Sequence, residues 1–298
     1  MADNVKKKRH RRLKSPKAYE FNKEEFRQHK VAFIAYFTLR ALVILTLFLQ
    51  LRNGNYENVF TCLLTLILLL LPRFVEKEMR IDIPDTLEVI LMVFVFAAEI
   101  LGEIEAFYVT VENWDTILHT VNGFIAAAVG FSLVNLLNKD EESGFRLSPI
   151  YLALTAFCFS MTIGVLWEFF EFSMDHFFGM DMQKDTVIHV INSVSLDPTM
   201  SNKVVSIDDI TSVVLNGQDL GLGGYLDIGL IDTMEDLFVN FIGATIYSIF
   251  GYIYVKTKGR KGIAGRFMLR KIKDENPAQS GNTEPEAEKI TTEEKNVQ

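Results

Sequence analysis

The sequence predicts an all-α integral membrane protein with six transmembrane helices, both termini cytoplasmic, and a small α+β outer insertion between helices five and six. Three observations carry this expectation. The 298-residue chain is 49% apolar, and its apolar residues gather into long central runs. Its mean hydropathy is +0.18, although 38 acidic and 30 basic residues leave a formal net charge of −8. The charge is also segregated, with 11 Lys/Arg against four acids in the first 30 residues. Span-length apolar runs between charged ends exclude a simple soluble globule.

A helix needs about 20 mostly apolar residues to cross the hydrocarbon core of a bilayer. Six windows meet this: 31–51, 57–74, 87–107, 115–137, 149–171 and 232–255. The sixth opens with Asp232, Glu235 and Asp236, so its apolar core is shorter. Basic residues accumulate in cytoplasmic loops, and here they alternate. The 72–86 loop has three, the 138–148 loop two and the stretch Lys256 to Lys273 eight, whereas 108–114 has none and 172–231 only Lys184 and Lys203. The expected organisation is a basic cytoplasmic arm (1–30), a transmembrane domain (31–256) with an outer insertion (172–231), and a basic then acidic disordered tail (257–298). A multi-pass protein of the bacterial plasma membrane is the expectation, without a cleavable signal peptide, because the basic region is long and the first apolar run is span-length. Cys62 and Cys158 fall within spans and read as small hydrophobes. Arg40, in the first span, reads as a partner for a neighbouring helix.

In the arm, Lys6-Lys7-Lys8-Arg9-His10-Arg11-Arg12 reads as a topology signal or as a patch for anionic lipid, with Phe21 and Phe26 on a surface helix. Its tether to a span argues against nucleic acid. In the insertion, Asp185 is placed to cap a short helix over 186–196. The β-branched Val204-Val205 and Val213-Val214 predict a hairpin within Lys203–Leu215. The glycines from Gly217 to Gly229 predict a flexible return, and lacking a Lys-Ser/Thr they do not form a phosphate loop.

Four spans carry ionisable residues. The third has Glu99 and Glu103, and the fourth begins with Asp115 and His119, with Asn122 one turn on. The fifth ends in Glu168, Glu171 and Asp175, and the sixth begins with Asp232 and Asp236, with Asn240 following. Helical spacing puts each set on one face, and the orientation above puts every set at the outer end of its helix. If the four helices pack together, seven carboxylates (Glu99, Glu103, Asp115, Glu168, Glu171, Asp232 and Asp236) and one histidine meet in one layer without a Lys or Arg among them. Unpaired carboxylates in a low dielectric are costly, so such a layer is expected to hold water or cations. Carboxylates with one imidazole suit a divalent Mg, Mn, Fe or Zn ion, and helical bundles build such sites from facing helices. Asp115, His119, Glu168, Glu171, Asp232 and Asp236 are the candidate ligands, and Glu99 and Glu103 the candidate catalytic bases.

Structural readings stand beside these. Asp115 and Asp232 also suit helix caps, and Asp232 with Glu235 resembles a capping box. Glu103 and Asp175 also suit a wet interface, and His119 an interhelical hydrogen bond. Asn122 and Asn240 read as helix–helix hydrogen bonders, and His176 and His189 as solvated. Gln183 and Asp185 are placed to fold over the layer. The fourth and sixth spans share Asp-Thr, a later polar residue and Asn, which reads as a parallel repeat of two helical hairpins.

The set Leu101-Gly102-Glu103, Trp114-Asp115-Thr116-Ile117-Leu118-His119, Gly164-Val165-Leu166-Trp167-Glu168-Phe169-Phe170-Glu171 and Asp232-Thr233-Met234-Glu235-Asp236 resembles the YjdF-like family of bacterial membrane proteins over about 85–260. It is distantly similar to VanZ-like proteins, through the Asp-x-x-x-His helix start and a late acidic helix. The resemblance implies a polytopic helical membrane protein, and the VanZ likeness implies a place in the cell envelope. Three functions remain open. The first is a metal-dependent membrane hydrolase or transferase acting on a lipid or lipid-linked substrate. The second is a non-catalytic envelope protein. The third is a cation or small-solute transporter, for which the inner halves of spans three to six offer only Ser132, Thr155, Ser160, Thr162, Tyr247 and Ser248. Oligomeric state is not encoded in any of these features.

Overall fold

The computed structural model describes residues 29–138, 146–259 and 263–271. The basic arm with its Lys6–Arg12 cluster, Phe21 and Phe26, and the acidic tail expected as disordered, lie outside the described residues. The chain is mostly helical, and its sheets are small.

Helix α1 (Lys30–Asn53) ends where Gly54 adopts φ 73°, a left-handed conformation that costs glycine little. Asn55 then caps α2 (Tyr56–Leu68), its side chain accepting from Asn58 N at 3.2 Å. A turn at Leu69–Leu70 leads to α3 (Leu71–Met79). After β1 (Ile81–Asp82), α4 (Asp85–Phe96) widens without interruption into a π-helical stretch, Ala97–Ile104. The short α5 (Phe107–Thr110) precedes α6 (Trp114–Asn138). Helix α7 (Pro149–Phe178) starts at Ser148, whose side chain accepts from Tyr151 N at 3.3 Å, and Pro149 fits its first turn. Helix α8 (Leu230–Lys256) follows Gly229, at φ 86°.

Five helices are long and apolar enough to cross a membrane: Lys30–Asn53, Tyr56–Met79, Trp114–Asn138, Pro149–Phe178 and Leu230–Lys256. The expected third window is helical through Ile104, but Ala97–Ile104 is π-wound rather than α. In the first span Arg40 donates to Tyr36 of its own helix, not to a neighbour. Tyr36 also lies under Arg73, 5.1 Å from its ring centroid, and Arg73 stands 3.9 Å from Glu88 on α4.

Helices α6, α7 and α8 pack into the larger core, with Phe131, Leu152, Ala156, Ala244 and Tyr247 fully buried. A smaller cluster joins α1, α2 and α4 through Val43, Cys62, Met92 and Ile100. Without a hydrophobic driving force inside lipid, helices associate through close packing of small residues. Here α6 and α8 touch backbone to backbone at Gly123 and Gly243.

The segment between α7 and α8 departs from expectation. Residues 186–196 are not a helix: Thr186–Ile188 (β2) pairs antiparallel with Tyr225–Asp227 (β7), and Ile191–Ser193 (β3) with Val205–Ile207 (β4). Thr186, Val187, Ile188 and Ile191 are β-branched and favour strands, so only a 3₁₀ turn remains at Val194–Leu196. Nor do Val204-Val205 and Val213-Val214 pair with each other. Val214–Leu215 (β5) instead forms a hairpin with Gln218–Asp219 (β6). Its turn is Asn216-Gly217, both at positive φ, a pairing that suits a two-residue hairpin. The glycine-rich return is itself held, because β7 lies within it and Gly224 approaches Ile188 O closely enough that a Cβ would sit 2.8 Å away.

Asp197 organises the loop between β3 and β4. Its Oδ1 accepts from Thr199 N (3.0 Å) and Oγ1 (2.6 Å), and its Oδ2 from Ser201 N and Oγ (both 2.9 Å). Those donors hold the Asp197 carboxyl below the usual carboxylate range. A depressed folded pKa means the loop's stability is present above the unfolded value near 3.9 and is lost as pH falls through the folded one. Asp197→Ala is therefore expected to open 198–203 to protease at neutral pH, while the wild-type loop opens only in strong acid. Equal cleavage of the two at neutral pH would contradict this.

The chain after α8 is a further correction. Part of the stretch expected as a disordered tail turns back as a 3₁₀ turn at Ala264–Arg266. It then ends in Arg270–Lys271 (β8), paired with β1. Ala264, Phe267, Met268 and Leu269 are buried, and Phe267 stands edge-on to Phe124 at 5.2 Å. The seven basic residues from Lys258 to Lys273 make the stretch read as solvated, but four apolar ones supply a packing face. Phe267→Ala is expected to cost about 3 kcal/mol, the range for an aromatic lost from a core. Thermal unfolding in detergent measures it, and an unchanged midpoint would mean the segment does not dock.

Candidate metal centre

Each cluster expected from the sequence lies near one end of the bundle, and the packing of α6, α7 and α8 brings most of them together. His119 is the hub. Its Nε2 stands 3.5 Å from Asp115 Oδ1 on the same helix and 3.6 Å from Asp236 Oδ2 on α8, and its Nδ1 is 3.8 Å from Glu168 Oε1 on α7. These separations exceed an ordinary hydrogen bond. Separations of this size suit a water, a proton or an ion held between the groups, and an ion takes only one of the two ring nitrogens. Glu171 joins the group one turn beyond Glu168, with Oε1 accepting from Trp167 Nε1 at 2.8 Å.

Ligand atoms of His119, Glu168, Glu171 and Asp236 all lie within 4.8 Å of one another, and those of Asp115, Asp232 and Asp236 form a second such group. The first four residues are buried, at 7, 4, 6 and 4% exposure. Among the described residues, no donor meets hydrogen-bond geometry at either oxygen of Glu168, at Glu171 Oε2 or at Asp236 Oδ2, although the Thr233 hydroxyl lies beside Glu168. The helices offer no compensating cation nearby, as Lys256 at the far end of α8 is the only Lys or Arg on α4, α6, α7 or α8. Buried polar oxygens without partners are costly, so this cluster is shaped for a cation, a proton or water.

Asp232, expected as a cap, does other work. Asp232 Oδ2 accepts from Lys184 N at 2.8 Å, whereas the freed amide of Ile231 at the start of α8 is met by Asp227 Oδ2 at 2.9 Å. Asp232 and Glu235 therefore form no capping box, and Glu235 is exposed. Asp175 accepts from Met182 N (2.6 Å) and Gln183 N (2.8 Å), and Gln183 Nε2 donates to Thr233 Oγ1. Residues 182–184 thus form a strap across the first turn of α8, as the placement of Gln183 led us to expect. Asp185 is exposed and makes no such bond among those described.

Asn240 acts as a helix–helix bonder, with Nδ2 3.5 Å from Ser160 O. His176 is exposed and stacks on Phe172, and His189 Nδ1 lies 2.9 Å from Ile210 O.

Glu99 and Glu103 belong to neither ligand group. Glu99 is half-buried and Glu103 exposed on the π-helical stretch. Between them and the ligands lies Tyr108, which the sequence reading missed. Its ring packs so tightly on Gly102 that a Cβ there would sit 2.3 Å from Cε2. Burial, then the negative Asp115, Glu103, Glu99 and Glu171, pushes the Tyr108 phenol well up, so it stays a neutral donor. The signal available was Gly102 itself, a gap in the acidic face of the third window.

Fold and geometry together define a polytopic helical membrane protein with a buried acidic layer at one end of its bundle. The chain belongs to the family described as "Predicted membrane protein (DUF2238)", whose model matches residues 34–257. This agrees with the YjdF-like resemblance. The chain is also 29% identical over 106 residues to an uncharacterized protein of Thermotoga maritima, a match covering 35% of this chain and 52% of the relative. The chain thus spans about half the length of that curated relative. No solved structure matches it.

Proposed function

We propose that the protein crosses the bacterial plasma membrane six times with both ends cytoplasmic, and that its buried acidic layer holds a divalent metal ion at the outer leaflet. The ion serves a hydrolase or transferase reaction on a lipid or lipid-linked envelope substrate. One observation carries this reading: four buried ligating groups within 4.8 Å, with carboxylate oxygens that no donor meets at hydrogen-bond geometry among the described residues. The run Asp85–Ile104 is helical throughout, and at about 1.5 Å per residue it is long enough to span. The alternation of Lys/Arg supports the orientation.

His119, Glu168, Glu171 and Asp236 would hold the ion, and Mg, Mn, Fe or Zn suits that donor set. Such an ion supplies a Lewis acid and lowers the pKa of a coordinated water. Trp167 orients Glu171, and the 182–184 strap shields the layer. The Tyr108 phenol offers an O–H donor beside Glu99 and Glu103, which are the bases.

A second reading, cation transport, draws on Ser132, Ser160, Tyr247 and Ser248, which are all buried within the three-helix core beneath Asn240. Thr155 is half-buried and Thr162 exposed, and both bond their own helix, which leaves that polar line sparse. The apolar character of the rest keeps the enzyme reading ahead.

Elemental analysis of right-side-out membrane vesicles carrying the purified protein tests the centre and its placement together. At least one ion per chain is expected, falling tenfold when EDTA is added outside and in the H119A/E168Q variant. Negligible metal in both proteins would remove the centre. Loss only from inverted vesicles would reverse the orientation.

A further inference from the structure

We propose that Asp115, Asp232 and Asp236 form a second divalent-cation site, joined to the first through Asp236 as a bridging carboxylate. This rests on the reading that the deeper group binds a divalent ion. The two groups of mutually close ligand atoms share one member, Asp236. A carboxylate has two oxygens and can serve two ions. Asp236 is 4% exposed, and its Oδ2 has no hydrogen-bond partner among the described residues. His119 marks the junction, because Nδ1 faces Glu168 in the deep group while Nε2 faces both Asp236 and Asp115.

Charge favours two ions over one. Five carboxylates converge here: Asp115, Glu168, Glu171, Asp232 and Asp236. A single divalent ion leaves three of these five negative charges and a pair leaves one, with Lys184 on the strap the basic side chain that acts on Asp232. The two sites also differ in hardness. The deep group contains an imidazole, while the second offers only carboxylate oxygens, which suit Mg²⁺ or Mn²⁺. The strap completes the second site from above. Lys184 N occupies Asp232 Oδ2 at 2.8 Å, which fixes that carboxylate's orientation and leaves its other oxygen for the ion. Asp115, with 29% of its side chain exposed, is the member through which an ion enters.

The test is Mn²⁺ loading of the metal-stripped full-length protein in nanodiscs, read by bound stoichiometry and by electron paramagnetic resonance. Wild type is expected to bind two ions per chain with the exchange-coupled signal of a bridged pair. D115N/D232N is expected to bind one ion with an uncoupled signal, and D236N to lose the coupling. One ion in wild type, unchanged in D115N/D232N, would overturn the second site and leave the first standing. Two ions retained by D115N/D232N would place the second ion elsewhere and equally overturn it. No Mn²⁺ bound at all would overturn the metal centre as a whole. Should the double variant fail to fold, wild-type stoichiometry and coupling still decide, since one ion or two uncoupled ions refute the bridge.

Discussion

Gly243→Ala is expected to separate α6 from α8 and cost about 3 kcal/mol or more, at the upper end of what overpacking does. A Cβ at position 243 would stand 2.1 Å from Thr120 O and 2.9 Å from Phe124 N. Both are backbone atoms of α6, so no rotamer change relieves the overlap and the helix axes must part. Gly123→Ala meets the same obstacle from the other side, 2.2 Å from Asn240 O. Gly130→Ala provides the contrast. Its Cβ would meet the Phe159 ring at 2.7 Å and Phe159 Cβ at 2.8 Å, so the ring can turn aside and only a smaller backbone adjustment remains. The expected order of thermal midpoints in detergent is wild type, then Gly130→Ala, then the two crossing variants. Wild-type stability in Gly243→Ala would refute the crossing. His119 lies one turn before Gly123, and Asp236 two turns before Gly243, so parting the helices also scatters the ligands.

Glu171→Gln is expected to change sign with metal. In the stripped protein the variant should be more stable than wild type, because a neutral amide replaces a buried charge whose Oε2 has no partner among the described residues. The bond from Trp167 Nε1 survives, since the amide oxygen still accepts. With metal present the order reverses. A ligand at one hundred times its dissociation constant stabilises the folded state by about 2.7 kcal/mol, and a variant missing one donor forfeits much of that. Melting curves of both proteins, with EDTA and with saturating Mn²⁺, therefore cross. A constant difference of one sign in both conditions would end the metal proposal, and would favour carboxylates that only shape the bundle.

The candidate site was legible in the sequence to an unusual degree, for a reason tied to helices. Helical spacing sets which side chains share a face, so Asp115 with His119, Glu168 with Glu171, and Asp232 with Asp236 could each be paired before any packing was known. Their isolation among apolar neighbours made them conspicuous. The insertion was less legible, because short strands owe their pairing to distant residues. Val204-Val205 and Val213-Val214 looked like mutual partners, yet Val205 pairs with Ser193 and Val214 with Asp219. Phe267 in its basic surroundings and Tyr108 beyond the end of a window carried no local pattern to mark them.

Composition and periodicity alone determined that this is a membrane protein of long apolar helices with acids grouped near one end of each of several helices. Apolar length and helical repeat are properties of contiguous residues, and the chain carries them wherever it folds. Only the tertiary structure decided that α6 and α8 cross at two glycines, that Asp236 belongs to both ligand groups, and that Asp232 is held by Lys184 rather than capping its own helix. Those outcomes depend on distances of a few ångströms between residues from 48 to more than a hundred positions apart, which close packing sets and no local pattern encodes.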